Sequence, residues 1–386
     1  ISEIKRLNES VNVLYAPALK LKLKILGMMY LYFVKKADKS RKQAFHRYKK
    51  QKGEELINLC VFEALLEAHK GVSFWRFWRD GTDDIRSLAT ISFRESHKEQ
   101  IDLFAYCHWL ADTEVKEVQK LAKSLKMKVG LYADMPIGAA SNGAEVWENP
   151  KAYVLETGVG APADPMRPKG QSWGFTPYHP MMLARQHYAP FIRLVRENMT
   201  YAGALRIDHA MGLRRLFWGF FKDDNPVVQG AYVYYDMKVL TAILCLESVR
   251  AKCLIIGEDL GTVPEGFREY MAEHGLLSYK VFFRQKNKDG TFIDIHKYWG
   301  RMVELRAVAI IEYFSLNQNY YKPLCDVMGY DIKTKKLPPD SPVGLYTRGK
   351  VQEILLYFLI KNHCNNLRQP KKCPLYNRKK RIVRIL

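Results

Sequence analysis

The chain has 386 residues and is 48% hydrophobic and 12% aromatic, which is enough apolar sequence to bury a large core. No apolar run approaches the roughly 20 residues that a membrane-spanning helix needs, and seven cysteines without a C-x-x-C pair favour a reducing cytoplasm over a disulfide-stabilised secreted domain. The formal net charge of +21 keeps an interaction with nucleic acid under consideration.

Helices dominate the first third of the chain. Apolar residues recur at three- and four-residue spacing in Glu54–Glu67 and Glu99–Leu125, which predicts amphipathic helices. Lys128–Tyr132 is predicted to be a strand. Residues 140–180 are rich in glycine and proline with few periodic features, and such a segment in an enzyme is typical of a binding loop.

Helices and strands alternate in the second half of the chain. Strands are predicted at 202–207, 253–257, 279–284 and 306–310, and helices at 181–198, 232–250 and 265–274. This alternation is typical of βαβ units and a parallel sheet, so it predicts an α/β fold.

Two of the predicted strands each end on a carboxylate. Asp208 follows the strand at 202–207, and Glu258 follows the strand at 253–257. The carboxyl ends of parallel strands meet at one rim of a (β/α)8 barrel, where the loops carry the chemistry. A single acidic residue at a strand end is more often a cap or a loop anchor, but a pair at one rim is the basic equipment for glycoside chemistry.

Four longer motifs surround these residues. In chain order they read GLYADMPIG (130–138), VGAPAD with GQSWGFTP (159–164 and 170–177), RIDHAMGL (206–213) and IGEDLGTVP (256–264). All four, in this order, resemble the 4-α-glucanotransferases of the amylomaltase or disproportionating-enzyme family, glycoside hydrolase family 77. The resemblance extends from about residue 11 to about 310, and more weakly to about 365.

The resemblance implies a (β/α)8 TIM-type barrel with helical insertions, incomplete at both ends. The family's first barrel strands have no counterpart before Val11, and its last strand has none after Cys364. The expected organisation is a helical insertion region at 1–125, a barrel core with the catalytic motifs at 126–325, a helical remainder at 326–365 and a basic, disordered tail at 366–386.

The resemblance also implies an activity. Members of the family transfer α-1,4-glucan segments between maltodextrins by a retaining mechanism through a covalent glycosyl-enzyme. Asp208 matches the family nucleophile and Glu258 its acid/base, and Glu258 would have to hold its proton near neutral pH to act as an acid. The expected partners are maltodextrins and starch- or glycogen-derived glucans. No cofactor is expected, and no Cys/His spacing predicts a zinc site.

Four further residues match positions that bind substrate in the family. Arg206 matches a residue that pairs with the nucleophile and keeps it ionised. His209 and Asp134 match positions that contact the sugar around the cleaved bond. Trp173 matches the region that lines the glucan groove, although a tryptophan is equally an ordinary core residue.

The chain departs from the family at one catalytic position. A third carboxylate, which stabilises the transition state, is expected in a Thr-His-Asp-x-Pro-Thr motif after the strand at 306–310. Residues 311–320 read IEYFSLNQNY and contain no such motif, as a local reading-frame slip would produce. Glu312 is a candidate replacement. We therefore expect little or no transferase activity from the chain as written.

The positive charge is concentrated in two segments. Residues 18–50 carry 11 lysines and arginines against one acid, and residues 366–386 carry eight and no acid, so these segments account for 18 of the 21 charges. Two alternatives to an active transferase remain. The missing third carboxylate allows an inactive relic that binds glucan weakly, and the two basic segments allow a basic interaction protein. Nucleic-acid binding is disfavoured because no groove-reading motif is present.

Overall fold

The computed structural model describes residues 2–278, except 71, 165, 166, 223 and 224. The strands predicted at 279–284 and 306–310, the helical remainder at 326–365, Glu312 and the basic tail lie outside the described residues. The chain divides into two compact units, one of Ile1–Gly257 with Pro264–Leu277, and one of Glu258–Val263 with Ser278–Leu386. The predicted domain boundaries stay predictions.

The helices carry most of the first 125 residues, as predicted. The helices of this segment are α1 Ser2–Asn8, α2 Tyr15–Lys36, α3 Lys39–Ala68, α4 Leu88–Ser96 and α5 Lys98–Ser124. The helices that follow it are α6 Ala144–Glu148, α7 Pro180–Arg185, α8 Ala189–Met199, α9 Met237–Ala251 and α10 Phe267–Glu273. Short 3-10 helices lie at Trp75–Phe77, Pro150–Ala152 and Ala210–Leu213. Within the described part of the chain, no helix combines the length and the apolar character needed to cross a membrane.

An aromatic core joins α2, α3 and α5. Phe33 and Phe45 lie edge to face with ring centroids 5.6 Å apart, and both contact the rings of Tyr106 and Trp109. Asp38 begins α3 by accepting a hydrogen bond from the Arg41 N–H at 2.8 Å, which satisfies a donor that the first helical turn leaves open. The helical segment therefore has a hydrophobic core of its own.

A four-stranded sheet follows the helices. Its strand order is β1 (Tyr132–Met135), β6 (Ala204–Ile207), β9 (Leu254–Gly257) and β10 (Leu277–Ser278), and β6 pairs in parallel with both β1 and β9. The strand predicted at 128–132 begins later than expected. Gly130 has a positive φ of 75°, and the Leu131 N–H is bound by the Gln119 side chain at 2.7 Å, so the chain becomes extended only after this turn.

Two antiparallel sheets complete the described fold, and their strands were not predicted. One pairs β2 (Ala139–Ala140) with β5 (Phe175–Thr176); the other has the order β4 (Gln171–Ser172), β3 (Gly158–Ala161), β7 (Arg215–Lys222) and β8 (Asn225–Tyr234). The hairpin of β7 and β8 occupies part of the helix predicted at 232–250, which begins only after Asp236 caps the Val239 N–H. The helix predicted at 181–198 is interrupted by His187 and Tyr188, whose φ angles are 51° and 58°.

Gly203 enters the sheet where only a glycine fits. Its N–H donates to the Leu131 carbonyl at 2.9 Å, and its carbonyl accepts from the Leu254 N–H at 3.0 Å. A Cβ atom at this position would lie 1.8 Å from the Val129 carbonyl oxygen. The backbones of three segments therefore approach one another too closely for any side chain.

We expect Gly203→Ala to lower the free energy of unfolding by about 1–3 kcal/mol, because the added methyl group forces the backbone apart. The matched control is Gly27→Ala in α2, where the nearest atom to a new Cβ lies 4.0 Å away; this change should stabilise the helix by about 0.5–1 kcal/mol. Urea unfolding of the two variants and of the unmodified protein measures both effects. A Gly203→Ala variant as stable as the unmodified protein would contradict the close approach of the backbones at Gly203.

Candidate active site

Parallel pairing places the two candidate catalytic carboxylates directly after paired residues. Ile207 is in register with Gly257 at the ends of β6 and β9. Asp208 directly follows Ile207, and Glu258 directly follows Gly257. Both carboxylates therefore follow the carboxyl ends of parallel strands, as the sequence predicts, and the structure shows that these strands are neighbours.

Arg206, on β6, binds two carboxylates, one on β1 and one directly after β6. Its guanidinium Nη1 lies 2.7 Å from Asp134 Oδ1, and its Nη2 lies 2.8 Å from Asp208 Oδ1. Asp134 and Arg206 are register partners across the two strands. The Arg206 side chain is only 13% exposed, so the ion pair with Asp208 is shielded from solvent on the arginine side. The ion pair of Arg206 with Asp208 is as expected. The ion pair of Arg206 with Asp134 was not predicted, because the spacing of residues in the sequence does not give the register of β1 against β6.

Asp208 is fixed at its backbone and open at its side chain. Its N–H donates to the Met135 carbonyl at 3.0 Å, which continues the pairing of β6 with β1 by one residue. The carboxylate is 37% exposed. One Asp208 oxygen is thus held by Arg206 while the side chain remains accessible from solvent, as a nucleophile must be.

His209 turns the chain sharply after Asp208. Its backbone is left-handed, with φ 46° and ψ 60°, a conformation that a non-glycine residue adopts at some energetic cost. Burial lowers the pKa of the imidazole to about 4, and the neighbouring Asp208 carboxylate opposes that shift only in part. His209 is therefore neutral near pH 7 and offers the site a hydrogen-bonding ring without a positive charge.

Trp173 lies against His209. The two rings meet edge to face, with centroids 5.0 Å apart and an interplanar angle of 67°. Trp173 also packs on an apolar cluster formed by Ile137, Val159 and Leu216, and its backbone N–H donates to the Val159 carbonyl at 3.0 Å. Trp173 is thus partly buried, and its ring lies beside His209, the residue that follows Asp208.

The glycine- and proline-rich segment that carries Trp173 is anchored by a tyrosine network. The Tyr153 and Tyr178 hydroxyls both donate to Glu145 Oε1, the latter at 3.0 Å. The two phenol rings stack with centroids 4.8 Å apart, and the Tyr235 hydroxyl donates to the Tyr178 carbonyl at 2.7 Å. Burial raises the pKa of both Tyr153 and Tyr178, so both stay protonated as donors. Sequence reasoning predicted the loop but missed these anchors, because hydrogen bonds between distant residues leave no periodic signal.

Glu258 is buried directly after β9. The Glu258 side chain accepts a hydrogen bond from the Leu260 N–H at 2.8 Å. Glu258 is 8% exposed and the adjacent Asp259 is 1% exposed. The Glu258 carboxyl group is thus largely removed from water and fixed by a backbone hydrogen bond directly after the strand.

The pH dependence of stability should report the burial of His209. Since its pKa falls from 6.5 to about 4 on folding, the unfolded chain binds more protons between these values. The free energy of unfolding should therefore decrease as the pH falls from about 6.5 to about 4, by up to about 3 kcal/mol from this residue. Denaturant unfolding across this pH range should show a smaller decrease in the free energy of unfolding for His209→Gln than for the unmodified protein. The exposed control His46→Gln should behave like the unmodified protein; an identical pH dependence in all three would contradict the burial.

The described residues thus bring together Asp134, Arg206, Asp208, His209 and Trp173, and they place Glu258 after the neighbouring strand. An α/β chain with carboxylates after the ends of paired parallel strands, an arginine that holds one of them and an aromatic ring alongside is typical of enzymes that act on glycosidic bonds.

Comparison with known proteins identifies the family. A sequence model described as 4-α-glucanotransferase matches residues 1–307. A 4-α-glucanotransferase of Haemophilus influenzae is 37% identical over 308 residues, which cover 77% of this chain and 44% of that protein. One of Mycobacterium tuberculosis is 32% identical over 249 residues, which cover 64% of this chain and 34% of that protein. The chain belongs to the 4-α-glucanotransferase family, glycoside hydrolase family 77, and it spans less than half the length of these relatives.

Solved structures agree on the fold. The amylomaltase of Corynebacterium glutamicum matches with a TM-score of 0.59 at 23% identity, over 80% of this chain and 43% of that one. The amylomaltase of Streptococcus agalactiae, determined in complex with acarbose, matches with a TM-score of 0.63 at 20% identity, over 80% of this chain and 66% of that one. The predicted α/β fold is confirmed; closure of a barrel lies beyond the described strands.

Proposed function

We propose that the protein transfers α-1,4-glucan segments between maltodextrins, with Asp208 as the nucleophile and Glu258 as the acid/base. The observation that carries this proposal is the register of β6 and β9, which pairs Ile207 with Gly257 and so puts the two motif carboxylates directly after neighbouring strand ends. Membership of the 4-α-glucanotransferase family supports the assignment.

The reaction uses the two carboxylates in turn. Asp208 attacks the anomeric carbon of the donor glucan, and Glu258 gives its proton to the departing 4-oxygen of the leaving sugar. The 4-hydroxyl of an acceptor then loses its proton to Glu258 as its oxygen displaces Asp208 from the glycosyl-enzyme. Two inversions leave the new bond in the α configuration, so the mechanism is retaining.

The neighbouring side chains prepare this chemistry. Arg206 binds Asp208 Oδ1 at 2.8 Å and so holds the nucleophilic carboxylate in a fixed position. We expect His209 and Asp134 to contact the sugar around the cleaved bond, and Trp173 to line the glucan groove with its ring face. The neutral state of His209 suits this role, because a neutral imidazole can both donate a hydrogen bond to a sugar hydroxyl and accept one.

The expected substrates are maltodextrins and glucans released from starch or glycogen. The structure of the Streptococcus agalactiae amylomaltase with acarbose supports an α-glucan ligand. A cytoplasmic location agrees with the seven cysteines, and the four cysteines of the described residues are all free thiols.

A second candidate function is an inactive relic that binds glucan. It is favoured by one observation, the absence of the Thr-His-Asp motif after residue 310. The relic and the enzyme share the fold and the described site, so only an activity measurement separates them.

Incubation of the purified protein with maltotriose tests the proposal. Transfer gives glucose together with maltodextrins longer than maltotriose, whereas hydrolysis gives glucose and maltose without longer products. Chromatographic separation of the products after long incubation distinguishes them. Longer products that disappear in Asp208→Asn support the proposed function; glucan binding without any product would establish the relic, and hydrolysis alone would contradict transfer.

A further inference from the structure

Three potential metal ligands converge between α3 and α5. Cys60 and Glu63 lie one turn apart on α3, and His108 lies on α5. A thiol sulfur, a carboxylate oxygen and an imidazole nitrogen from these residues all lie within 4.8 Å of one another. We propose that Cys60, Glu63 and His108 form a binding site for a divalent cation of the zinc type.

The donor set indicates the class of metal. Zinc is commonly bound by combinations of cysteine, histidine and carboxylate, and cobalt(II) adopts the same ligands. Magnesium and calcium prefer sites built from oxygen alone. One sulfur, one nitrogen and one oxygen donor therefore favour a borderline transition metal.

The spacing of the donors is close to what such a cation needs. His108 Nε2 and Glu63 Oε2 lie 2.9 Å apart in a hydrogen bond. Zinc bonds of about 2.0–2.2 Å separate two ligands of a tetrahedral site by roughly 3.3 Å. The cation would therefore take the place of the proton in this hydrogen bond, and the imidazole would carry its one proton on Nδ1 instead. The two atoms would move apart by a few tenths of an ångström, and the Cys60 sulfur would move closer to them.

Burial gives the site a closed side and an open side. Cys60 is fully buried in the helical core, whereas the side chains of Glu63 and His108 are 30% and 33% exposed. A cation can thus enter past the carboxylate and the imidazole and reach the thiol last. Water completes the coordination on the exposed side.

The local charge favours a cation. The carboxylates of Glu63 and Asp102 both lie near the Cys60 sulfur, and Lys49 is the positively charged group that faces it. Lys49 is itself paired with Asp102 at 2.7 Å. Binding of the cation releases the Cys60 thiol proton to solvent as the sulfur–metal bond forms.

Sequence spacing could not predict this site. Glu63 and His108 are 45 residues apart, and no short Cys/His motif links them. The packing of α5 on α3 brings them together, and a cation bound there would cross-link the two helices. Because the cation binds the folded state, it should raise the free energy of unfolding in proportion to the logarithm of its concentration above Kd.

Titration of the untagged, chelator-treated protein with cobalt(II) tests the site. The expected result is one cobalt per chain, with the visible bands of tetrahedral cobalt and a near-ultraviolet thiolate-to-cobalt band, both displaced by zinc. Cys60→Ser should remove the thiolate band. His108→Gln should weaken binding by at least the roughly 10–100-fold that loss of an outer-shell partner costs. Circular dichroism verifies folding, and the half-exposed position of His108 makes His108→Gln informative even if Cys60→Ser fails to fold.

Two matched controls address adventitious binding. Cys245→Ser replaces a free thiol on α9, and His46→Gln replaces an exposed histidine; neither should change the spectrum or the affinity. The proposal is overturned if the unmodified protein shows no thiolate-to-cobalt band, if the band persists in Cys60→Ser, or if His46→Gln weakens binding as much as His108→Gln.

Discussion

Asp208→Asn should abolish formation of a glycosyl-enzyme, whereas Glu258→Gln should spare it when the donor carries a good leaving group. The asymmetry follows from the two roles. Asp208 forms the bond to the anomeric carbon, and an amide cannot replace it, so we expect a rate loss of about 10⁴-fold or more. Glu258 supplies only a proton, and a leaving group such as fluoride departs without one.

The same substitution of Glu258 should make the intermediate last longer. Release of the glycosyl group requires a base to take the proton of the acceptor, and glutamine cannot act as one. With maltosyl fluoride as donor, Glu258→Gln should therefore accumulate a covalent maltosyl adduct. With maltotriose, whose leaving sugar needs protonation, the same variant should react roughly 10²–10⁴-fold more slowly than the unmodified protein.

Mass spectrometry of the intact protein measures the adduct, and peptide mapping should locate it on Asp208. Asp84→Asn is the matched control, because it makes the same chemical change at an exposed loop residue and should leave adduct formation unaltered. Adduct formation in Asp208→Asn, or equal tolerance of both site substitutions, would refute the assignment of roles.

The sequence predicted what depends on periodicity and local motifs. Apolar spacing located α5 and the part of α3 that follows Gly53. Short apolar runs located β6 and β9 within one or two residues. A motif at the end of each was enough to predict that Asp208 and Glu258 follow two parallel strands, and the structure adds that these strands are neighbours. The ion pair of Arg206 with Asp208 was also accessible, because the two residues lie on the same side of one strand.

What the sequence did not predict depends on tertiary contacts. The hairpin of β7 and β8 was not predicted, because the pairing of its two strands depends on where the chain turns back and not on a periodic pattern of apolar residues. The second ion pair of Arg206, with Asp134, depends on the register of β1 against β6. The edge-to-face contact of Trp173 with His209 depends on how the anchored loop folds back. In each case the deciding interaction joins residues far apart in sequence.

We expect the protein as written to disproportionate maltotriose at least about 10²–10³-fold more slowly than the Haemophilus influenzae relative, which is 37% identical. The transition state of glycosyl transfer carries positive charge on the sugar, and the carboxylate of the Thr-His-Asp motif stabilises that charge in the family. Residues 311–320 lack this carboxylate, and the loss of one such electrostatic contact typically costs several kcal/mol. Asp208 and Glu258 are retained, so the residual reaction should still be transfer.

Initial rates of glucose release under identical conditions measure the difference, and Glu312→Gln is the decisive comparison. Glu312 is the only acidic residue among residues 311–320, so it alone in that stretch could replace the missing carboxylate. If the site lacks the third carboxylate, Glu312→Gln should leave the slow rate unchanged, because no charge that contacts the sugar is removed. A rate equal to that of the relative, together with a loss of activity in Glu312→Gln, would instead show that Glu312 performs the task of the missing aspartate.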